Sequence, residues 1–156
     1  MKIRILAVGT RMPAWVNDAY AIYAKRMPRE CRFELHEIQA GHRTRAADIS
    51  KAMATEGEKM LEALAGSEQV IALDVRGKMY DTPALSRALD SWTHDGRDIA
   101  LLIGGPDGLA ESCLERADSR WSLSPLTMPH GLVRVVLAEQ IYRAWSLLRG
   151  HPYHRP

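Results

Sequence analysis

The sequence predicts an α/β domain with a mainly parallel sheet. Strand-like and helix-like segments alternate five times, and two near-continuous apolar runs of strand length, Gln69 to Val75 and Asp98 to Gly104, sit mid-chain. Such alternation makes the helices crossovers between parallel strands, and a strand apolar at nearly every position is one covered on both faces. The length of 156 residues suits a single domain over 1–156, able to bury roughly two thirds of its unfolded surface.

Ile3, Ile5 and Ala7 alternate with Lys2, Arg4 and Leu6 up to Gly9, which gives a first strand over Lys2 to Val8. Pro13 suits a helix start; Trp15, Ala19, Ile22 and Tyr23 continue at helical spacing, Lys25 and Arg26 favour the C-terminal end, and Pro28 closes it. Arg32 to Ile38 alternates again as a second strand, followed by a polar, basic and mobile connector from Gly41 to Arg45. Ile49, Met53, Met60, Leu61 and Leu64 mark a second helix over Asp48 to Ala65, interrupted at Gly57. After the third strand Arg76-Gly-Lys78 is expected to turn, and Thr82-Pro83 supplies an N-cap and a first helical residue for a helix carrying Leu85, Leu89 and Trp92. The fourth strand breaks at Gly105-Pro-Asp-Gly108. A short helix over Leu109 to Ala117 and a last strand over Arg120 to Leu123 complete the alternation.

The final helix, Leu132 to Leu148, is apolar nearly all round. Val133, Val136, Leu137, Ile141, Ala144, Trp145 and Leu148 share one wide face, while Leu132, Val135 and Tyr142 lie on the other. A helix of this kind is buried on more than one side. A sheet on one side and a second copy of the chain on the other satisfy it, so a homodimer is expected.

A hydrophobic content of 46% with 26% charged residues excludes the disordered and fibrous classes. Cys31 and Cys113 match no metal or redox spacing and read as reduced thiols of a cytoplasmic protein. No stretch approaches the ~20 apolar residues of a membrane helix, and the apolar run after Met1 is too short for a signal peptide. The net charge of +2 is unevenly spread: ten basic against five acidic residues over 1–51, five against twelve over 52–115, and six against two over 116–156. If the two ends meet, they make one basic face for phosphates, with the acidic middle held away from it.

In open parallel sheets ligands bind beyond the carboxyl ends of the strands. Three segments qualify: Leu73-Asp74, Gly104-Gly-Pro-Asp-Gly108 and the Leu123 to Met128 loop bent by Pro125 and Pro129. The glycine spacing is not a dinucleotide fingerprint, so the cluster is either a tight turn or a close approach to a ligand. Asp74 and Asp107 are either turn caps or acid–base groups. His94, His130, His151 and His154 lack companions at zinc spacing, so no metal is expected. The tail, Arg149-Gly-His-Pro-Tyr-His-Arg155, is either a frayed terminus or an RNA contact, since arginine and tyrosine clamp phosphates and stack on bases.

Four motifs in order resemble one family. Leu101-Leu-Ile-Gly-Gly-Pro-Asp-Gly108, Trp121-Ser-Leu-Ser-Pro-Leu-Thr-Met-Pro-His130, Arg134 with Glu139-Gln-Ile-Tyr-Arg-Ala-Trp145, and His151-Pro-Tyr-His-Arg155 are similar to those of the ribosomal RNA large subunit methyltransferase H (RlmH) family of the SPOUT superfamily. The likeness begins at Ala7-Val-Gly-Thr-Arg-Met-Pro13 and spans the chain. It implies a C-terminal trefoil knot, and S-adenosylmethionine-dependent methylation of N3 of a pseudouridine in helix 69 of 23S rRNA, carried out on the assembled ribosome by a homodimer. Carried over by motif, the cofactor site falls on Leu73, Gly104, Leu123, Ser124, Pro125, Leu126, Thr127 and Met128, the glycines leaving room for the ribose and sulfonium. Met128 stands where leucine is usual, a volume-conserving change, and the chain departs from the family in ending Arg155-Pro156. For a direct in-line methyl transfer the candidates are Arg143, His130 and His154 for the chemistry, with either histidine as proton acceptor, and Tyr153, Arg155 and Arg134 to hold the RNA. Glu139, four residues before Arg143, is expected to be its ion-pair partner. Two other classes fit parts of the sequence: a ribosome-associated factor without catalysis, and a flavodoxin-like nucleotide-binding enzyme.

Overall fold

Five strands, β1 (Ile3–Val8), β2 (Phe33–Ile38), β3 (Gln69–Met79), β4 (Ile99–Ile103) and β5 (Ser119–Ser122), pair in parallel in the order β2-β1-β4-β3-β5. The computed structural model describes residues 1–156. Five helices connect and follow the strands: α1 (Ala14–Arg26), α2 (Ile49–Glu62), α3 (Thr82–Asp95), α4 (Glu111–Arg116) and α5 (His130–Leu148), with single 3-10 turns at Arg29–Cys31 and Ala46–Asp48.

Strand periodicity divides the core. Ile3, Ile5 and Ala7 pack with Ile71, Leu101 and Ile103 against Leu85 and Leu89 of α3 and Leu137 and Ile141 of α5. The intervening Leu6 and Val8 join Val70 and Leu102 on the opposite face, against Met60 of α2 and Cys113 of α4. β4 is buried at all positions, as its apolar run requires. Each such Leu or Ile contributes about 1.5–3 kcal/mol by leaving water.

Several local expectations need correction. Arg76-Gly-Lys78 does not end β3: Trp121 of β5 lies opposite both Leu73 and Lys78, so residues 74–77 arch out of the ladder and pairing then resumes. A polar, glycine-containing triplet reads as a turn, but the backbone of β5 keeps the strand going. α2 runs unbroken through Gly57, where a Cβ would meet the Ala110 methyl at 2.6 Å. The cap of α3 is Asp81, not Thr82; its Oδ1 accepts from the Ala84 N–H at 2.8 Å, and Thr82 opens the helix. α5 begins at His130, two residues earlier than expected, with Pro129 as its cap. The Gly41 to Arg45 connector is pinned: Arg43 donates to Glu56 at 2.5 and 3.0 Å and to Asp107 at 2.8 Å.

α5 lies between α3 and α1, and Ser86 Oγ of α3 donates to the Ala144 carbonyl at 3.0 Å. Of the expected apolar face, Leu137, Ile141 and Ala144 are buried, Val133, Val136 and Trp145 are half-buried, and Leu148 is exposed. Trp15 and Ile22, seven apart on α1, are 57% and 51% exposed.

One polar contact fixes the start of α5. The Arg134 side chain is 1% exposed; it donates to Glu37 at 2.6 Å and to the Gly9 carbonyl at 2.7 Å, joining α5 to the carboxyl ends of β1 and β2. Removing one partner of such a pair leaves the other charge and a carbonyl unsatisfied. Arg134→Ala is expected to cost about 3 kcal/mol in urea unfolding with an unchanged m-value; a loss below about 1 kcal/mol contradicts the clasp.

Candidate active site

The carboxyl ends of β3, β4 and β5 surround a cavity of about 720 Å³, within the roughly 300–1,000 Å³ range of small-molecule sites. Three segments wall it: Leu73 and the arch after it, the Gly104–Gly108 turn, and the loop from Leu123 to Pro129. Leu73, Gly104, Leu123, Ser124, Leu126, Thr127 and Met128 all line the cavity, whereas Pro125 is exposed outside it. Ser122 Oγ donates to the Ser124 carbonyl and the Leu126 N–H donates to Ser124 Oγ, each at 3.0 Å, so two serines hold the bend that the prolines impose. Leu126 is left 74% exposed.

The glycines serve the turn itself. A Cβ on Gly104 would strike the Gly108 and Leu109 backbone, and one on Gly105 would meet the Val8 side chain at 2.9 Å. Turn closure thus requires both glycines whatever else they leave room for, and Gly108 follows at φ +88°.

The acids of the chain's middle are not held away from this region, as the charge distribution suggested. Asp107 and Glu56 clasp Arg43. Burial opposes ionisation of Asp74, but bonds from the Arg76 guanidinium and N–H, with the Arg120 charge nearby, hold its carboxyl below the usual carboxylate range. Both aspartates are thus occupied by arginines. No group of three His, Cys, Asp or Glu side chains is arranged to hold a metal ion.

His130 stands at the cavity edge on the first turn of α5. Burial and the neighbouring Arg134 charge push its pKa below 6.5, against a smaller opposing pull from Glu56. This favours the neutral ring, the form able to accept a proton.

Arg143 and His154 lie elsewhere. Thirteen residues of helix separate Arg143 from His130, about 20 Å at 1.5 Å per residue. There the tail is folded back rather than frayed. Tyr153 Oη donates to Glu139 at 3.0 Å, its ring meets Tyr142 edge-on at 4.8 Å, and Arg143 lies 4.9 Å over it. Arg143 also donates to Glu139 at 2.9 and 2.5 Å, as the i, i+4 spacing predicted, and reaches His154 Nδ1 at 3.3 Å. Burial, then hydrogen bonds to Tyr23 and Glu139, push the Tyr153 phenol well up. Arg155 is exposed beyond this cluster. Arg134, expected to hold RNA, is engaged inside the protein instead. One chain thus assembles two groups at opposite ends of α5.

Sequence reasoning missed Glu37, Arg43 and Glu56, whose pairing crosses elements far apart in the chain, and gave Trp121 no role although it is buried beneath the loop. Only Trp121, opening the loop motif, carried a local signal. Because the folded ring of His130 is harder to protonate than the unfolded one, the stability it contributes is present above pH 6.5 and is lost as pH falls below that. His130→Gln is expected to flatten the acid side of stability between about pH 7.5 and 5 in urea unfolding; an unchanged slope contradicts the assignment.

Comparison with known proteins places this architecture. A family model described as "Predicted SPOUT methyltransferase" matches residues 1–154. The ribosomal RNA large subunit methyltransferase H of Alkalilimnicola ehrlichii is 63% identical over 155 residues, 99% of each chain, and that of Thioalkalivibrio sulfidiphilus 61% identical over the same share. Among solved structures, a Legionella pneumophila protein in complex with bound SAM shares the fold at a TM-score of 0.52 and 10% identity, over 92% of this chain and 66% of that one. The chain belongs to the SPOUT methyltransferases and, within them, to the ribosomal RNA large subunit methyltransferase H family.

Proposed function

We propose that the chain transfers a methyl group from S-adenosylmethionine to N3 of a pseudouridine in helix 69 of 23S rRNA, on the assembled ribosome in the cytoplasm, as a homodimer. The observation that carries this reading is the cavity walled by Leu73, the Gly104–Gly108 turn and the Leu123–Met128 loop. The names of its full-length relatives support the rRNA substrate, and the family resemblance supplies helix 69 and N3. Leu73, Leu123, Leu126 and Met128 give an adenine ring apolar walls, and the loop backbone is available to its polar edge. Bound there, the cofactor supplies a methyl group on a positively charged sulfur.

The chain's own task is to position N3 and receive its proton. His130, neutral and at the cavity edge, serves as acceptor. Arg143, oriented by Glu139, with His154, Tyr153 and Arg155, engages the RNA. These groups lie at the far end of α5 in the same chain, so a second copy running antiparallel along α5 brings its tail to the cavity. Exposed Trp15 and Ile22, with half-buried Leu132 and Val135, supply the apolar surface for that contact. Arg134 contributes by fixing the start of α5 rather than by touching RNA. The trefoil knot belongs to the same proposal; its support is the passage of residues 123–129 from the edge strand β5 back to β1.

Calorimetric titration with S-adenosylmethionine and mass mapping of rRNA from treated ribosomes test the reading. A saturable heat and one added methyl in helix 69 are expected; a chain that binds no cofactor contradicts it. Arg143→Ala is expected to keep cofactor affinity and lower turnover on ribosomes by about 100-fold or more. Unchanged turnover removes Arg143 from the site.

A further inference from the structure

The arch of β3 is unexplained by the cofactor cavity alone. Residues 74–77 leave the ladder between the pairs Leu73–Trp121 and Lys78–Trp121, and irregularities of this kind beside active sites re-aim side chains. Gly77 brings the chain back so close to β5 that a Cβ would lie 2.6 Å from Arg120 C and Trp121 N. The excursion lifts Val75 and Arg76 to the cavity wall, 56% and 71% exposed respectively, as residue and as side chain. Val75 and Leu126 are thus two exposed apolar groups on the walls of the same cavity.

The Arg76 guanidinium is oriented from behind. Asp74, largely buried, accepts from its Nη2 at 3.1 Å, its Nε at 3.4 Å and its backbone N–H at 3.1 Å, which leaves guanidinium donors for another anion. Arg120 lies 3.9 Å from the same carboxylate and adds a second exposed cation. Glu111 is the other acid that Arg76 senses, and Lys78, at 5.0 Å over the Tyr80 ring, follows on the same strand.

We propose that the arch positions the RNA: Arg76, backed by Asp74 and joined by Arg120, holds a backbone phosphate at the cavity mouth while exposed Val75 flanks the target nucleotide. This rests on the methyltransferase reading. Guanidinium groups recognise phosphate through paired donors, and exposed apolar groups accept the face of an unstacked base. Arg76 is a positioning residue; it has no part in the methyl transfer.

The test is ribosome affinity measured from about 50 to 200 mM KCl at fixed magnesium. Arg76→Ala is expected to reduce the slope of log affinity against log salt by about 1 and to raise the KM for ribosomes several-fold, with the calorimetric Kd for S-adenosylmethionine unchanged. Arg76→Lys keeps the point charge and is expected to restore most of the slope. A variant with the wild-type slope and KM overturns the proposal. So does one that loses cofactor affinity with its slope intact, since Arg76 would then face the cofactor. A wild-type chain that neither binds cofactor nor methylates RNA overturns the underlying reading, whereas an active wild type with an indifferent Arg76→Ala overturns the arch alone.

Discussion

The clasp of Arg134 on Glu37 and on the Gly9 carbonyl is the contact on which the rest depends. β5 is an edge strand beside β3, yet the helix that follows it must begin above β1, three strands away in the sheet order. That is about 14 Å at the usual strand spacing. A guanidinium buried to 1% exposure, among carbonyls that strand pairing leaves free, sets that start in one place. With Trp121 buried in β5 at the other end, residues 123–129 become a strap between two fixed points. The strap must pass over the carboxyl ends of β3 and β4, and the space beneath it is the cavity.

Electrostatics around the cavity follow from a second regularity. The two acids that line it, and two further off, are matched with arginines: Asp107 and Glu56 with Arg43, Asp74 with Arg76 and Arg120, Glu37 with Arg134. Pairs with one largely buried member hold loops in place, since separating them strands a charge. His130 stands beside one of these pairs with its pKa lowered, first by burial and then by the Arg134 charge. The residue that fixes the helix thereby adds to what disfavours the protonated form of the proposed acceptor.

Much of this was legible in the sequence where signals are local. The doubly apolar strands, the proline-bent loop and the Glu139–Arg143 spacing each encode their outcome within a few residues, and all the residues carried over by motif to the cofactor site except Pro125 line the cavity. What failed were features decided by partners distant in sequence. Arg76-Gly-Lys78 has the composition of a turn, yet the backbone of β5 determines that β3 continues. Arg43 sits in a polar connector that gives no hint of Glu56 or Asp107. Arg134 is expected at the RNA because helical periodicity cannot show which carbonyls lie beneath it. The apolar excess of α5 is the sequence's argument for the proposed second copy, and exposed Trp15 and Ile22 on neighbouring α1 add to the surface such a copy would cover.

The central claim is that one site is built from both ends of α5, contributed by two copies. Mixing two defective chains tests it most directly. One carries Leu126→Glu, which puts a charge on the cofactor wall, and the other carries Arg143→Ala and lacks residues 151–156. Each alone is expected to be inactive on ribosomes, while co-expressed mixed dimers, confirmed by mass, recover methyl transfer through the one intact pairing of cavity and tail. Mixed dimers that form and remain inactive would contradict the composite site.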